Sequence, residues 1–447
     1  MIVMKFGGTS VGTAERLLTA CQLVRDNLAK RPLVVVSAHN SEKYRMTDTI
    51  IESAHKALGG NPDSSKIREL QFGICEDLNV NVEIISPFLE ELDTLLTGIR
   101  MIREISPQTM DLVMSFGERM CAVVFTEVLK NRYSLNAVCV PSFELGLRTD
   151  NRFGSASPDK SCFSDIAGNV SQINADVIVT TGFIGISPAG QITTLGRGGS
   201  DLSATLFGAA LKADEVQLWT DVDGVMTADP RVVKDAKSVP ELSFVEAAEI
   251  AWYGAKVLHP LSMLPAIEND IPVRVLNTAK PKSEGTLIIP ELKKPQELAK
   301  SIVYMKGIIL ITITTPKMLG AHGFLARAFG IFAKYEIDIH MIATSEISFS
   351  LTIPGNAAQD VESATKEIKE FADVIVEYNK AVVCLIGENM SGKIGVAARV
   401  MNAVSKAGVN IRMISQDARE YNIALLIEED DVAKAVTSLH NEFFIET

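Results

Sequence analysis

Ile2-Val3-Met4-Lys5-Phe6-Gly7-Gly8-Thr9-Ser10 is the stretch on which the fold turns: a short apolar strand that runs into two glycines and then into a helix. The glycines let the backbone bend sharply and come close to a ligand. Thr9 or Ser10 can cap the helix that follows, and the free amides and dipole of a helix N-terminus favour an anion. Lys5, at the carboxyl end of the strand, adds a full positive charge. The helix itself is legible, because Ala14, Leu17, Leu18, Cys21, Val24 and Leu28 share one face. Two readings stay open here: a minimal phosphate site, or an ordinary strand–turn–helix with a solvated lysine. The run is neither a Walker A loop nor a G-x-G-x-x-G dinucleotide turn.

Working outward, strand-like apolar runs near 33–37, 137–141, 176–181, 215–220 and 273–276 alternate with amphipathic stretches such as 202–211 and 244–257. This alternation predicts an α/β domain with a mostly parallel central sheet flanked by helices. Residues from about 50 to 115 read as a helical excursion from that sheet. Proline-rich breaks at 281–285 and 290–295 place a domain boundary near 295, giving domains of 1–294 and 295–447. The second part repeats itself at an offset of 72 residues: 310–313 lies on 382–385, 325–334 on 397–406, 337–342 on 409–414 and 351–353 on 423–425, with no gap. Each copy reads as strand–helix–strand–strand–helix, so two small α+β modules are expected.

The chain has 447 residues, 47% hydrophobic and 22% charged, an ordinary globular balance for two or three domains. A net charge of −12 without a basic block argues against nucleic-acid and membrane partners. Neither a membrane span nor a signal peptide is expected. Six scattered cysteines without C-x-x-C pairing point to buried thiols in a reducing cytoplasm, and the histidines have no metal-ligand spacing, so no protein-held metal is expected.

Thr193-Thr194-Leu195-Gly196-Arg197-Gly198-Gly199-Ser200-Asp201 is a second glycine-rich turn at a helix N-terminus. Arg197 brings a planar fork suited to a carboxylate or phosphate, whereas Asp201 fits either a plain N-cap or a site residue. A third segment, Trp219 to Arg231, follows another apolar strand, at the kind of position where α/β sheets bind nucleotides. Lys256, in Gly254-Ala255-Lys256-Val257-Leu258-His259-Pro260, can serve either the dipole of its helix or a phosphate. Ser115-Phe116-Gly117-Glu118 sets a carboxylate at an expected helix start, either a first-turn acid or a partner for a substrate ammonium.

Taken together, Lys5 to Ser10, Ser115 to Glu118, Arg152-Phe153-Gly154, Thr193 to Asp201, Thr220 to Arg231 and Gly254 to Pro260 resemble the aspartate kinases in order and spacing over essentially the whole chain. The resemblance implies an amino acid kinase domain followed by paired ACT modules of ferredoxin-like α+β type, the first (about 312–380) inserted within the second (295–311 plus 381–447). It implies transfer of the γ-phosphoryl group of ATP, with Mg²⁺, to the side-chain carboxylate of L-aspartate, opening the diaminopimelate route to lysine, threonine and methionine. On the same resemblance Lys5, Lys256 and Asp201 are catalytic. Lys5, Phe6, Gly7, Gly8, Thr220, Asp221, Met226, Arg231, Lys256 and Val257 form the nucleotide side, and Thr47, Glu118, Arg197, Gly198, Gly199 and Ser200 the aspartate side. The stretch from Met318 to Glu346 is most similar to lysine-sensitive members. That similarity makes Met318, Ala321, Phe324, Leu325, Asp338, Ile339, His340, Ser345 and Glu346 the effector residues, and a homodimer or larger homo-oligomer the expected assembly. Three positions depart from the family: the loop from Ser37 to Thr47 is longer and lacks glycine, Met226 stands where an aromatic residue is usual, and His340 replaces an acid. The rival functions are a kinase for glutamate-like acceptors and a non-catalytic amino-acid sensor.

Overall fold

A computed structural model describes residues 1–254, 259–292, 297–318 and 323–445. Internal contacts divide the chain into two compact units: Met1–Val225, Pro240–Phe244 and Val257–Glu291 in the first, and Met226–Val239, Val245–Lys256 and Leu292–Thr447 in the second.

The first unit contains strands β1 (Ile2–Phe6), β2 (Pro32–Val36), β3 (Ala137–Cys139), β4 (Val177–Thr181), β5 (Ile184–Ile186), β6 (Ile192–Thr194), β7 (Glu215–Thr220), β8 (Glu241–Ser243), β9 (Val273–Asn277) and β10 (Thr286–Ile289). Eight form one sheet in the order β3-β4-β2-β1-β7-β9-β10-β8, while β5 and β6 make a separate hairpin. Every pairing in the large sheet is parallel except that of β9 with β10. All residues of β1, β2 and β4 are buried, which is why these strands read as unbroken apolar runs: a parallel sheet covered on both faces has no solvent side. The covering helices are α1 (Ala14–Asp26), α2 (Met46–Leu58), α3 (Ser65–Leu78), α4 (Ser86–Ile102), α5 (Pro107–Tyr133), α6 (Phe163–Gln172) and α7 (Gly199–Leu211), with α8 (Phe244–Trp252) leading into the second unit's segment and α9 (Pro260–Glu268) returning to the first. Leu17, Cys21 and Val24 of α1 are fully buried, as their spacing predicts, and each large apolar side chain so placed contributes about 1.5–3 kcal/mol.

Local details differ from expectation for physical reasons. Residues Gly8–Ser10 form a 3₁₀ turn, so α1 starts later and its cap is Thr13, whose hydroxyl accepts from Arg16 N at 3.3 Å. Ser10 instead donates to Trp219 O at 3.2 Å and accepts from Thr278 at 2.7 Å. Glu118 lies in the middle of a helix rather than at its start: α5 opens with Ser106 as cap and Pro107 at its first position, and runs for 27 residues. Gly117 is tolerated there because Ala38 packs where its Cβ would stand, at 2.7 Å.

The second unit carries β11 (Ser301–Thr314), β12 (Met341–Thr344), β13 (Ser348–Pro354), β14 (Asp373–Ile386), β15 (Met413–Ser415) and β16 (Asn422–Glu428), with helices α10 (Phe324–Lys334), α11 (Ala358–Ile368), α12 (Val396–Lys406) and α13 (Val432–Phe444). The strands form one antiparallel sheet in the order β12-β13-β11-β14-β16-β15. β11 and β14 are each 14 residues long and pair along their whole lengths, with a register shift between Met305 and Leu310. The carboxyl half of β11 pairs with β13 and the carboxyl half of β14 with β16, so each long strand serves both modules. At the crossing point the buried Lys380 ammonium is held by Glu377 at 3.3 Å and Glu428 at 2.9 Å.

The repeat is not free of gaps. Ile313 pairs with Phe349, whereas Leu385, its copy 72 residues on, pairs with Ile423, so the later elements are offset by two more residues. Helices α11 and α13 keep that longer offset. The extra pair falls in the turn between β15 and β16. A shift of two returns every side chain to the same face of its strand, which is why the hydrophobic pattern concealed it. Among the described residues no helix is long and apolar enough to cross a membrane.

Candidate active site

β1 lies near the middle of the sheet, between β2 and β7, and the chain reaches those neighbours in opposite directions. A crevice at the carboxyl ends of strands is expected at such a switch. Gly7 N donates to Trp219 O at 3.0 Å, which seats the glycine turn on β7. A Cβ on Gly8 would come within 2.6 Å of both Ala38 O and the Asn40 amide, so only glycine fits. One on Gly7 would stand 3.5 Å from the Lys5 ammonium, in the space a ligand would need to meet that charge. Lys5 is 9% exposed and its Nζ lies 2.5 Å from Asp201 Oδ1. Asp201 is in the first turn of α7 but does not cap it: the cap position is Gly198, and no side chain closes that end.

The loop before α7 is built by its glycines. Gly196 and Gly198 have φ of +72° and +73°, a left-handed backbone that ordinary side chains resist. Arg197 between them is exposed, and no ion pair or hydrogen bond to it is found among the described residues. Ser200 packs on Gly182, just beyond β4, where a Cβ would come within 2.7 Å of the serine Cβ. His259, at the start of α9, crowds Gly198; burial first, then the Arg197 charge, pull its imidazole pKa down.

Glu118 is buried, its Oε1 accepting from Ala38 N at 3.1 Å, while Oε2 is buried with no partner among the described residues. Burial pushes its carboxyl up to about 8, against the opposing pull of that hydrogen bond. The loop from Ser37 to Thr47 is fastened to the same region without glycines. Asn40 N donates to Gly8 O at 3.0 Å, Met46 N to the Asn40 side chain at 3.1 Å, and the Tyr44 hydroxyl to Gly12 O at 3.2 Å. His39 is wholly buried beside Gln71, and burial draws its pKa down to about 4. Thr47 is the second residue of α2 and half-buried.

Thr220 ends β7, next to β1, and Asp221 follows it, with the hydroxyl of Thr220 donating to Asp221 at 3.2 Å. Met226 and Arg231 belong to the second unit. There Met226 O accepts from Ser301, and Arg231 forks onto Asp229, which also accepts from the Tyr304 hydroxyl. Those donors, Arg231 foremost, hold the Asp229 carboxyl down to about 2. Lys256, Val257 and Ala321 lie outside the described residues.

In the first module of the second unit, Phe324 and Leu325 open α10 behind Gly323 (φ +84°), and Met318 closes the preceding 3₁₀ turn. Asp338, Ile339 and His340 precede β12, while the exposed Ser345 and Glu346 form the turn at its other end. The His340 ring lies 5.2 Å from that of Trp252, its Nδ1 is buried with no partner among the described residues, and burial lowers its pKa. Sequence reading missed Asp111, a fully buried carboxylate on α5 that holds Gly154 and Thr194; its only sequence signal is its place seven residues, two helical turns, before Glu118.

Comparison with known proteins places these features in context. Residues 1–277 match the amino acid kinase family, and residues 311–370 and 383–443 match ACT domains. The chain is 36% identical over 461 residues to lysine-sensitive aspartokinase 3 of Escherichia coli, covering 99% of each. It is also 36% identical to chloroplastic aspartokinase 1 of Arabidopsis thaliana, covering 99% of this chain and 80% of that one. The crystal structure of E. coli aspartokinase III with aspartate and ADP (R-state) superposes with a TM-score of 0.84 at 35% identity, over 99% of this chain and 100% of that one. The same enzyme with lysine and aspartate (T-state) gives 0.76 at 34% identity, over 99% of each.

Proposed function

Because the chain belongs to the amino acid kinase family and, within it, to the aspartokinases, we propose that it transfers the γ-phosphoryl group of ATP to the side-chain carboxylate of L-aspartate, yielding 4-phospho-L-aspartate. The observation that carries this reading is Glu118. A buried carboxylate with one oxygen lacking any partner is an unfilled cation site, and the ammonium of an amino acid fills it. We assign catalysis to residues 1–294 and regulation to 295–447, the module of about 312–380 being inserted in the other.

The acceptor carboxylate has an ordinary pKa of about 3.9 and is ionised at neutrality, so no general base is required. Catalysis then consists of holding two anions in line and neutralising charge on the group in transit. Lys5 and the amides of Gly7 and Gly8, with Lys256, meet the phosphates. Phe6, Thr220, Asp221, Met226, Arg231 and Val257 serve the rest of the nucleotide. Arg197 takes the α-carboxylate of aspartate, Glu118 its ammonium, and Thr47, Gly198, Gly199 and Ser200 line its path. Asp201 keeps the Lys5 ammonium aimed. Among the described residues no three His, Cys, Asp or Glu side chains could hold a metal, so Mg²⁺ fits as an ion carried by the triphosphate, screening its charge, with Asp201 the carboxylate at hand.

ADP release with L-aspartate, with L-glutamate and without acceptor, each with hydroxylamine trapping, tests the reading. A hydroxamate formed with aspartate and not with glutamate is expected; its absence with both would refute the assignment. The Glu118 carboxyl adds a pH signature. In the empty site it is protonated below about 8, and only its ionised form pairs with an ammonium. The KM for aspartate should therefore fall as pH rises towards 8, by up to about tenfold per unit, and level off above. In Glu118→Gln that slope should vanish, and an unchanged slope would exclude Glu118 as its source.

Lysine is the effector we assign to the first module, through Met318, Ala321, Phe324, Leu325, Asp338, Ile339, His340, Ser345 and Glu346. His340, kept neutral by burial, offers a lysine ammonium no anion. His340→Asp should lower the half-inhibitory lysine concentration by about tenfold, the worth of one charge-assisted contact. An unchanged inhibition curve would show that this position does not discriminate effectors. The exposed Ile342 and Ile414, on the outer strands β12 and β15, favour a homodimer or larger homo-oligomer. Six free cysteines, five of them buried, suit a cytoplasmic location.

A further inference from the structure

Asp111 is fully buried on α5, yet it is not idle. Its Oδ2 accepts from Gly154 N at 2.9 Å and from Thr194 N at 2.8 Å, and its Oδ1 accepts from the Thr194 hydroxyl at 2.9 Å. Thr194 ends β6, three residues before Arg197, and Gly154 closes the Arg152-Phe153-Gly154 turn. These two segments also hold each other: Ala156 N donates to Thr194 O at 2.9 Å, and a Cβ on Gly196 would stand 3.3 Å from Gly154 O. The root of the Arg197 loop is thus pinned to α5 through a single carboxylate. Seven residues further along the same helix, on the same face and roughly 10 Å along its axis, stands Glu118.

We propose that Asp111 is a positioning residue: by fixing the Arg197 loop to the helix that carries Glu118, it sets the separation of the groups that receive the α-carboxylate and the ammonium of the acceptor, and so the affinity for aspartate. The proposal rests on the acceptor reading given above. A helix is a stiff ruler, and two anchors on one face of it keep their separation when the ligand is absent. Removing the carboxylate would leave the buried amide and hydroxyl of Thr194 and the part-buried amide of Gly154 without their acceptor, and the loop would shift to find others.

Steady-state kinetics of Asp111→Ala, Asp111→Asn and the unaltered enzyme test this. In the alanine variant the KM for aspartate should rise roughly 10- to 100-fold while the KM for ATP stays within about twofold. Asparagine keeps the shape: its oxygen can accept both amides while its NH₂ donates to the Thr194 hydroxyl, so Asp111→Asn should restore the aspartate KM to within about threefold. Should the alanine variant fail to fold, Thr194→Val removes one of the three contacts and should raise the aspartate KM alone by roughly threefold or more. An unchanged aspartate KM, or equal rises for both substrates, overturns the proposal. An unaltered enzyme that forms no aspartyl hydroxamate overturns the acceptor reading instead.

Discussion

Arg197→Ala is expected to lower kcat/KM for aspartate by about 1,000-fold while leaving the KM for ATP within about twofold. The arginine is exposed at the tip of a turn that two left-handed glycines impose, so its removal should cost the fold little. What is lost is a two-pronged, charge-assisted contact to a carboxylate, worth roughly 2–5 kcal/mol when one partner is deleted from a desolvated pair. Lysine should recover little of this, because a point charge cannot reproduce the planar fork. Kinetics with aspartate varied at saturating ATP will decide. If the alanine variant binds aspartate as the parent does, the loop serves another ligand.

The second large effect is expected at Lys5. Lys5→Met should reduce kcat by about 1,000-fold, since one preorganised cation facing a transferring phosphoryl group contributes on that scale. It should also lower stability, for a separate reason. The lysine side chain is 11% and that of Asp201 18% exposed, so the substitution leaves a mostly buried carboxylate alone. The loss should be about 2–3 kcal/mol, below the range for a fully buried pair because some solvent reaches both groups. The two effects can be separated by adding Asp201→Asn to Lys5→Met. The double variant should regain most of the lost melting temperature and none of the lost turnover. Recovery of turnover as well would mean that Lys5 acts only by neutralising Asp201.

Much of this architecture was legible because burial on both faces writes β1, β2 and β4 as unbroken apolar strings, and because the glycines at 7, 8, 196 and 198 sit where close approach or a left-handed turn demands them. What was illegible depends on choices among equals. Thr9, Ser10 and Thr13 can all cap a helix, and only the 3₁₀ turn through Gly8–Ser10 leaves the role to Thr13. Gly117 looks like a helix boundary, yet it marks close contact of α5 with Ala38. Asp111 carries no motif, for its meaning lies in two backbone amides 43 and 83 residues away. Arg197 and Glu118 were identifiable by chemistry and by resemblance, but the unpartnered Oε2 is a fact of three dimensions.

The sharing of β11 and β14 by the two ACT modules constrains how the regulatory part can be inherited. A chain ending at Lys380 would retain all four strands of the first module, but would strip the amino half of β11 of its partner. Excising the first module would likewise remove the carboxyl half of β11 and the amino half of β14, cutting through both long strands on which the second is built. Recombination between relatives therefore has to exchange residues 301–445 as one cassette if both halves are to arrive intact, and altered effector preference has to evolve by substitution within that cassette.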